Sequence, residues 1–539
     1  MELRGRSRLI FSTLVMLMLL ASGFLASALT FVKSVSAQTD TKGVTNVPVG
    51  PYPTGIAYDA INGQLYVAET GTDQVSVING STNTLVGKVT VGAAPIGIAF
   101  DSANGDIYVA DLYSGTVSVI NGSTNAVIAT VLVGGGPDAV AFDSSNGNVY
   151  VVNTRSFTVS VISDSTNTVV ANVAVGSWPV GVAFDPANGD IYVANTGPAL
   201  GSPGNVSVIS GSNNSVIATV RVGDDPVAIA FDSANGDLYV TTDDSNSVSV
   251  ISGSTNKLVR IVPEDSGPIG VGYDPADEDI YVANFFYGTV SVISGATNMV
   301  FATVHIGGTL GSGYAPFGVA FDPANGDVYV ANQDLMAVSV IPPFTTLTAS
   351  CSPASIVVGS ATICEATVKE SGYTPTGTVT WTQGGTGSVS FITKKCTLSE
   401  SSCSVTLTGA KSGFATITAA YPGGPNNLGS SGTAKLIISV ASTATAISCS
   451  KSTFPSGSSI TCTANVTGLH STHTGIITWT SVSGPGRVTF FPKTTCTLIA
   501  GKCSVTLKGM AAGSVTIEAT YSGNTYNQGS SGKLVLKIA

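Results

Sequence analysis

The sequence predicts an all-β chain in two parts: a closed ring of seven four-stranded sheets, then two smaller two-sheet domains. Three observations predict it. An aromatic-Asp pair recurs seven times, as Tyr58-Asp59, Phe100-Asp101, Phe142-Asp143, Phe184-Asp185, Phe231-Asp232, Tyr273-Asp274 and Phe321-Asp322, with spacings of 42, 42, 42, 47, 42 and 48 residues. All eight Cys lie beyond residue 350, in two sets of four. Only 10% of residues are charged, and there are 62 Gly; β-branched residues suit pleated strands, and Gly, Ser and Asn suit the turns between them.

At the N-terminus, Arg4, Arg6 and Arg8 precede an apolar run from Leu9 to Val32, and Val35-Ser36-Ala37 offers small residues to a signal peptidase. Residues 1–37 are expected to be a signal peptide with Gln38 as the mature start; the run also has the length of an uncleaved anchor. Either way the remainder is expected outside the membrane, extracellular or at the cell surface. The net charge of −10 and the thinly spread Lys and Arg offer no basic stripe for phosphates, so nucleic acid is excluded as a partner class.

Residues 38–343 hold the repeats. Each reads Pro-x-(Gly/Ala)-x-(Ala/Gly)-aromatic-Asp, then Tyr-Val, then Val-Ser-Val-Ile, then a Val-x-Val-Gly-like end. Those are four short strands, the pattern of one propeller blade. In the first strand, large residues (Ile56, Tyr58) alternate with tiny ones (Gly55, Ala57), so one face fills the space between blades and the other admits a close neighbour. The seventh repeat stops at Val338-Ser339-Val340-Ile341 before Pro342-Pro343, one strand short, and Thr45–Gly50 is a surplus fourth strand at the other end. The N-terminal strand is therefore expected to complete the last blade, giving a seven-bladed β-propeller without exposed sheet edges at a seam.

Tyr-Val-Ala-Asn at 192–195, 281–284 and 329–332, within repeats of this length, resembles the YVTN family of β-propeller repeats, which is similar to the propellers of archaeal surface-layer proteins. The resemblance covers residues 45–341 and implies a fold more than an activity.

Residues 344–441 and 442–539 repeat one another. Cys351, Cys364, Trp381, Cys396, Cys403 and Tyr421 recur as Cys449, Cys462, Trp479, Cys496, Cys503 and Tyr521, at an offset of 98 and then 100. Thr-Gly-Thr-Val-Thr-Trp at 376–381 and its counterpart at 474–479 resemble bacterial-type immunoglobulin-like repeats, which implies two β-sandwiches serving as stalk or spacer. Four Cys allow three pairings per domain; the local ones, Cys351–Cys364, Cys396–Cys403, Cys449–Cys462 and Cys496–Cys503, are favoured, with Cys396 and Cys403 facing each other across a hairpin.

Catalytic machinery is not evident. The three His (His305, His470, His473) do not join a Ser and an Asp into a triad, and oxidised Cys leave no thiol. The turn Asp-x-x-Asn-Gly-Asp recurs at 101–106, 185–190, 232–237 and 322–327 and reads as a hairpin turn, with left-handed conformations from Asn-Gly. The extra acids of Asp274, Asp277 and Asp279 make that copy the candidate for calcium; no other cofactor is expected.

Loops joining strands three and four are nearly uniform (Asn79-Gly-Ser-Thr-Asn83, Asn121-Gly-Ser-Thr-Asn125, Ser252-Gly-Ser-Thr-Asn256). The opposite face differs in every repeat and carries both length insertions. There lie the candidate binding residues Tyr113, Arg155, Phe157, Trp178, Phe285, Phe286, Tyr287 and Tyr314, with Tyr52, Met336 and the acids Asp224, Asp225, Asp243 and Asp244. Exposed aromatics on the variable face of a repeat protein point to recognition. The reading is a non-catalytic surface protein whose propeller binds a glycan, a protein or neighbouring surface-layer subunits. One alternative is a calcium-dependent lactonase-like hydrolase or lyase using Glu69, Asp111, Asn153, Asn195, Asn284 and Asn332, which end each second strand. The other is a filament or lattice assembled by exchange of strand 45–50.

Overall fold

The structure, a computed structural model, describes residues 38–40, 43–198, 203–265, 267–306, 315–370, 374–424, 427–468, 470 and 474–539. The expected signal peptide (1–37), Tyr314 and His473 lie outside the described residues. No helix among the described residues is long and apolar enough to cross a membrane. The chain divides into two compact units, with the break between Pro343 and Phe344.

The first unit is a set of seven propeller-like sheets. The first sheet is a meander of Pro53–Asp59, Gln64–Glu69, Gln74–Asn79 and Thr84–Thr90. The next four sheets repeat that order. In the sixth, Gln38–Asp40 adds an outer fifth strand, parallel to Ala302–Val304, which the sequence pattern does not announce. In the seventh, Pro316–Phe321, Val328–Asn332 and Ala337–Ile341 are completed by Thr45–Pro48. Thr45 pairs antiparallel with Val340 and Val47 with Val338, and Val47 is buried at 3% exposure.

First strands pack in a cycle: each touches the first strand of the next sheet, and Pro316–Phe321 touches Pro53–Asp59. The alternation of tiny residues is what permits this approach. A Cβ on Gly55 would run into the Ile96 carbonyl, one on Gly97 into that of Asp138, and one on Gly318 into that of Thr54. Between sheets, the second and third strands are buried on both faces; Tyr66, Val75 and Val77 of the first sheet pack with Ile107, Val109 and Ile120 of the second. Each fully buried aliphatic side chain of this kind contributes about 1.5–3 kcal/mol. In the first five sheets the fourth strands lie outermost and are bulged. Val86, Ile128, Val170, Ile217 and Val259 stand out from the ladder at the bulges, an arrangement that discourages edge-to-edge pairing.

The second unit holds two copies of a four-stranded sheet facing a five-stranded one. In the first copy, Thr346–Ser352, Ala361–Lys369, Ser402–Lys411 and Ser388–Phe391 face Ser355–Val357, Ser430–Ser439, Gly413–Tyr421, Thr378–Gly385 and Lys395–Thr397. Trp381 and Trp479 are the largest buried side chains of the two cores. All four local disulfides are present: Cys351–Cys364, Cys396–Cys403, Cys449–Cys462 and Cys496–Cys503, which fits an oxidising, extracellular environment.

One expectation changes. Cys396 and Cys403 do not face each other across a hairpin ladder. A single bridge at Ser399–Ser402 forms the turn, with Glu400 and Ser401 both left-handed. The strands then part: Lys395–Thr397 pairs with Thr378–Thr380 in one sheet, and Ser402–Lys411 belongs to the other. The disulfide therefore ties the two sheets together, and the Trp381 indole donates to Cys396 Sγ at 3.2 Å.

Candidate functional site

The two ends of the first unit are built by different rules. At the uniform end, Asp59 Oδ1 accepts the Ile61 N–H at 2.8 Å and Asn62 Oδ1 accepts the Gln64 N–H at 2.8 Å. Gly alone takes the left-handed position of this turn (Gly63 at φ 71°, Gly105 at 80°), so the expected role of Asn-Gly is divided between the two residues. In the turn from third to fourth strand, the last Asn is left-handed: Asn83 at φ 51°, Asn125 at 55°, Asn167 at 53°.

These turns latch neighbouring sheets. The Tyr66 hydroxyl donates to Asn125 Oδ1 of the next sheet at 2.8 Å, Tyr108 to Asn167 at 2.9 Å, Tyr150 to Asn214 at 2.8 Å, Tyr192 to Asn256 at 2.6 Å and Tyr239 to Asn298 at 2.7 Å. Tyr329 closes the cycle on Asn83 at 2.6 Å. The Asn62 and Asn325 amides reinforce the latch by donating to the Gly122 and Gly80 carbonyls at 2.9 and 3.1 Å. In these loops the Gly carbonyl and the last Asn are halves of inter-sheet contacts, while Ser and Thr bond back to the first Asn of their own loop.

The acidic copy follows the same plan. Asp274 Oδ1 accepts the Ala276 N–H at 2.7 Å, and Glu278 stands at φ 59° where sister repeats place Gly. Burial pushes the Asp274 carboxyl up to about 6 and that of Asp279 up to about 7, with the neighbouring acids adding to both. Among the described residues no group of three or more His, Cys, Asp or Glu converges as metal ligands do. Of the calcium candidates Asp274, Asp277 and Asp279, Asp274 engages Oδ1 in its own turn while its Oδ2 is buried without a hydrogen-bond partner.

The residues ending each second strand are also structural. Asp111, Asn153, Asn195, Asn284 and Asn332 are fully buried, one per sheet, and each faces outward along its own sheet. Asn153 Nδ2 donates to Ser160 Oγ at 2.9 Å, Asn195 to Ser207 at 2.9 Å and Asn284 to Ser291 at 2.8 Å. Glu69 takes the same place in the first sheet, accepting the Gly50 N–H at 2.7 Å and pairing with Lys88 of the fourth strand at 2.9 Å. Burial pushes the Glu69 carboxyl up, but bonds from Ser76, Lys88, Thr72 and Gly50 outweigh it and hold the group below its ordinary value. Asp111 has no such cation, and burial pushes it up to about 6. The candidate hydrolase ligands are thus not brought together.

The variable end is different. In most repeats its loops use two left-handed residues, one before the Pro that starts a first strand and one ending the turn from second to third strand. Most copies place Gly, Asn, Asp or Ala there: Ala94, Gly136, Asp225 and Gly267 at the first position, and Asp73, Gly115, Asn246 and Gly288 at the second. Bulky residues stand at four of these places: Tyr52 (φ 55°) and Trp178 (φ 53°) before Pro, Phe157 (φ 57°) and Met336 (φ 50°) after the turn. A side chain in this conformation costs about 1–2 kcal/mol relative to the right-handed region, and such strain concentrates at functional positions.

Two of the strained residues meet. Phe157 and Trp178 contact edge to face, with ring centroids 5.5 Å apart. Trp178 belongs by its backbone to the fourth sheet, where the Thr196 N–H bonds its carbonyl at 3.1 Å, and Phe157 belongs to the third. Arg155, in the same turn as Phe157, lies over Gly136 and sets its guanidinium 5.5 Å from the centre of the Tyr113 ring of the second sheet. Tyr113, Arg155 and Phe157 are exposed and Trp178 is half-buried. The four form a strip over three neighbouring sheets.

Phe285, Phe286 and Tyr287 form a separate group in the sixth sheet. Phe285 packs against Val227, Ile269 and Phe317 and is half-buried, so this ring caps the packing between first strands. Phe286 crosses Phe285 at 5.2 Å, lies over Gly267, and is exposed together with Tyr287.

No protein-family model matches the chain, and no curated protein matches it. Among solved structures, it is similar to a chain of the hydrazine synthase of Kuenenia stuttgartiensis, at 16% identity and a TM-score of 0.49, over 58% of this chain and 99% of that one.

Proposed function

We propose that the protein is a non-catalytic, secreted or cell-surface binding protein. Its first unit is a seven-bladed propeller of the YVTN kind, and an immunoglobulin-like pair serves as the stalk. The cycle of first-strand contacts and the closing pairing of Thr45–Pro48 support the propeller. In each stalk domain, a buried Trp beside a disulfide supports the second assignment, as does a Tyr hydroxyl bonded to an upstream carbonyl (Tyr421 to Thr376 at 2.7 Å, Tyr521 to Thr474 at 3.2 Å). Four disulfides support export.

The function rests on one observation, the asymmetry between the two ends of the propeller. The uniform end is occupied by repeated inter-blade latches, while the variable end exposes Tyr113, Phe286 and Tyr287 in loops that differ from repeat to repeat. A surface of exposed rings framed by polar loops fits recognition of an extracellular glycan or protein.

Arrays of glycans and envelope proteins, probed with residues 38–539, test this reading. Combined Tyr113→Ala, Phe286→Ala and Tyr287→Ala should abolish the captured signal. Combined Ser81→Lys, Ser123→Lys and Ser254→Lys on the uniform end should leave it intact. The reverse pattern, or no capture by any array, overturns the reading.

A further inference from the structure

The strip of Tyr113, Arg155, Phe157 and Trp178 shows a preference within the variable face. Trp178 occupies the backbone place that Gly136 and Gly267 occupy in sister repeats, and Phe157 that of Gly115 and Gly288. A chain that needed only to turn these corners has Gly for the purpose. Two large rings instead stand in left-handed backbone, touch each other across a sheet boundary and face solvent. Neither ring is among the buried side chains of the core.

The charge around them is also ordered. Among the described residues of the variable-end loops, Arg155 is the sole cation. No carboxylate lies within 4.0 Å of it among the described residues. The acids Asp224, Asp225, Asp243 and Asp244 sit in the loops around the fifth sheet, away from the second and third. Asp138, two residues from the Gly136 that Arg155 covers, accepts from the Thr154 hydroxyl at 3.4 Å. Placed over the Tyr113 ring at 5.5 Å, the guanidinium offers the planar fork of donors that suits bidentate capture of a carboxylate.

Resting on the binding role proposed above, we propose that this strip binds a carboxylated saccharide. The apolar C–H face of a pyranose ring stacks on Trp178 and Phe157, and the sugar carboxylate pairs with Arg155. The scale agrees: a stable protein interface buries about 800 Å² per partner, far more than four side chains offer, while a short oligosaccharide needs one or two rings and one charge.

Trp178 provides the readout, because Trp381 and Trp479 are buried in the second unit. Residues 38–539, with disulfides intact, are titrated with oligogalacturonate, with sialyllactose and with the methyl ester of the oligogalacturonate. A saturable change in Trp178 emission is expected for at least one acid, with affinity at least tenfold above that for the ester and falling as salt rises. Arg155→Gln should lose that tenfold and leave the ester unchanged. Phe157→Gly and Trp178→Gly, followed by calorimetry, should abolish binding without lowering the melting temperature, since sister repeats carry Gly there. Equal affinity for acid and ester, or full affinity in Phe157→Gly, overturns the inference. So does binding to none of the three saccharides. Saccharide binding lost only in Phe286→Ala or Tyr287→Ala moves the site to the sixth blade, overturning this inference while leaving the binding role standing.

Discussion

Asp111→Asn should stabilise the protein, and by an amount that depends on pH. Asp111 is fully buried at the end of its strand, accepting from Thr116 Oγ1 at 3.0 Å and Ser118 Oγ at 2.8 Å, while its Oδ1 has no hydrogen-bond partner. Burial pushes its carboxyl from 3.8 up to about 6. A carboxyl raised in the folded state binds its proton more tightly there than in the unfolded chain. Stability is therefore highest below pH 3.8 with respect to this group, and is lost as pH rises through about 6. Roughly two units at 1.36 kcal/mol each give a cost of up to about 3 kcal/mol above pH 7.

Asn removes that cost, and the fold already accepts it. Asn153 and Asn284 donate to the equivalent Ser at 2.9 and 2.8 Å and to the equivalent Thr at 3.2 and 3.3 Å. At about 2 °C per kcal/mol for a unit of this size, Asp111→Asn should raise the melting temperature of the first unit by about 2–6 °C at pH 8. The gain should shrink to about 1 °C near pH 4. Scanning calorimetry at pH 4, 5, 6, 7 and 8, with Trp178 emission reporting on the first unit, measures it. A loss of stability at pH 8, or a gain of equal size at pH 4 and pH 8, would show that the carboxylate is not the strained species described here.

The remaining predictions concern other joints of the ring. Lys88→Met leaves the Glu69 carboxylate buried without its cation and should cost about 2–4 kcal/mol at pH 7; adding Glu69→Asn, the residue that Asn153, Asn195, Asn284 and Asn332 supply at that place in sister repeats, should recover most of it in urea denaturation. Deleting residues 38–50 leaves Ala337–Ile341 as an open edge and should lower the melting temperature of the first unit and promote self-association on sizing columns, with added 38–50 peptide restoring the monomer; a truncated chain that stays monomeric and equally stable refutes the closure argument.

Much of this fold could be read from spacing alone. The missing strand after Ile341 and the surplus one at Thr45 are complementary, and they pair in the structure. The four local disulfides also follow from spacing, but the sheet that Cys396 joins does not. A turn of two residues looks the same in sequence whether its strands stay together or separate into facing sheets. The outer strand Gln38–Asp40 had no signal at all, being three residues without pattern. The latches were half legible: uniform Gly-Ser-Thr-Asn loops marked one end as constrained, but their partners are the Tyr of Tyr-Val about sixty residues away, a pairing only the cycle of sheets creates.

The candidate site was legible as a set of residue types and illegible as geometry. Lining up the repeats puts Phe157 in a column of Gly115 and Gly288, and Trp178 in a column of Gly136 and Gly267; that contrast was available, and its meaning depends on φ. Where one repeat departs from its sisters at a surface loop, drift is a sufficient explanation if the departure costs nothing. Here two departures each cost about 1–2 kcal/mol of backbone strain, and they fall side by side across a blade boundary. Drift scatters neutral changes; it does not gather two costly ones into contact beside Arg155, the sole cation among the described residues of these loops. Phe285 shows the contrasting case, a ring in ordinary backbone, half-buried on Val227 and Ile269, whose place packing explains. Strain at exposed aromatics thus separates rings retained for a ligand from rings retained for the fold. On that criterion the proposed recognition surface narrows from the whole variable end to the strip over the second, third and fourth sheets and to Tyr52 of the first, and the ring contact between Phe157 and Trp178 is what favours the strip.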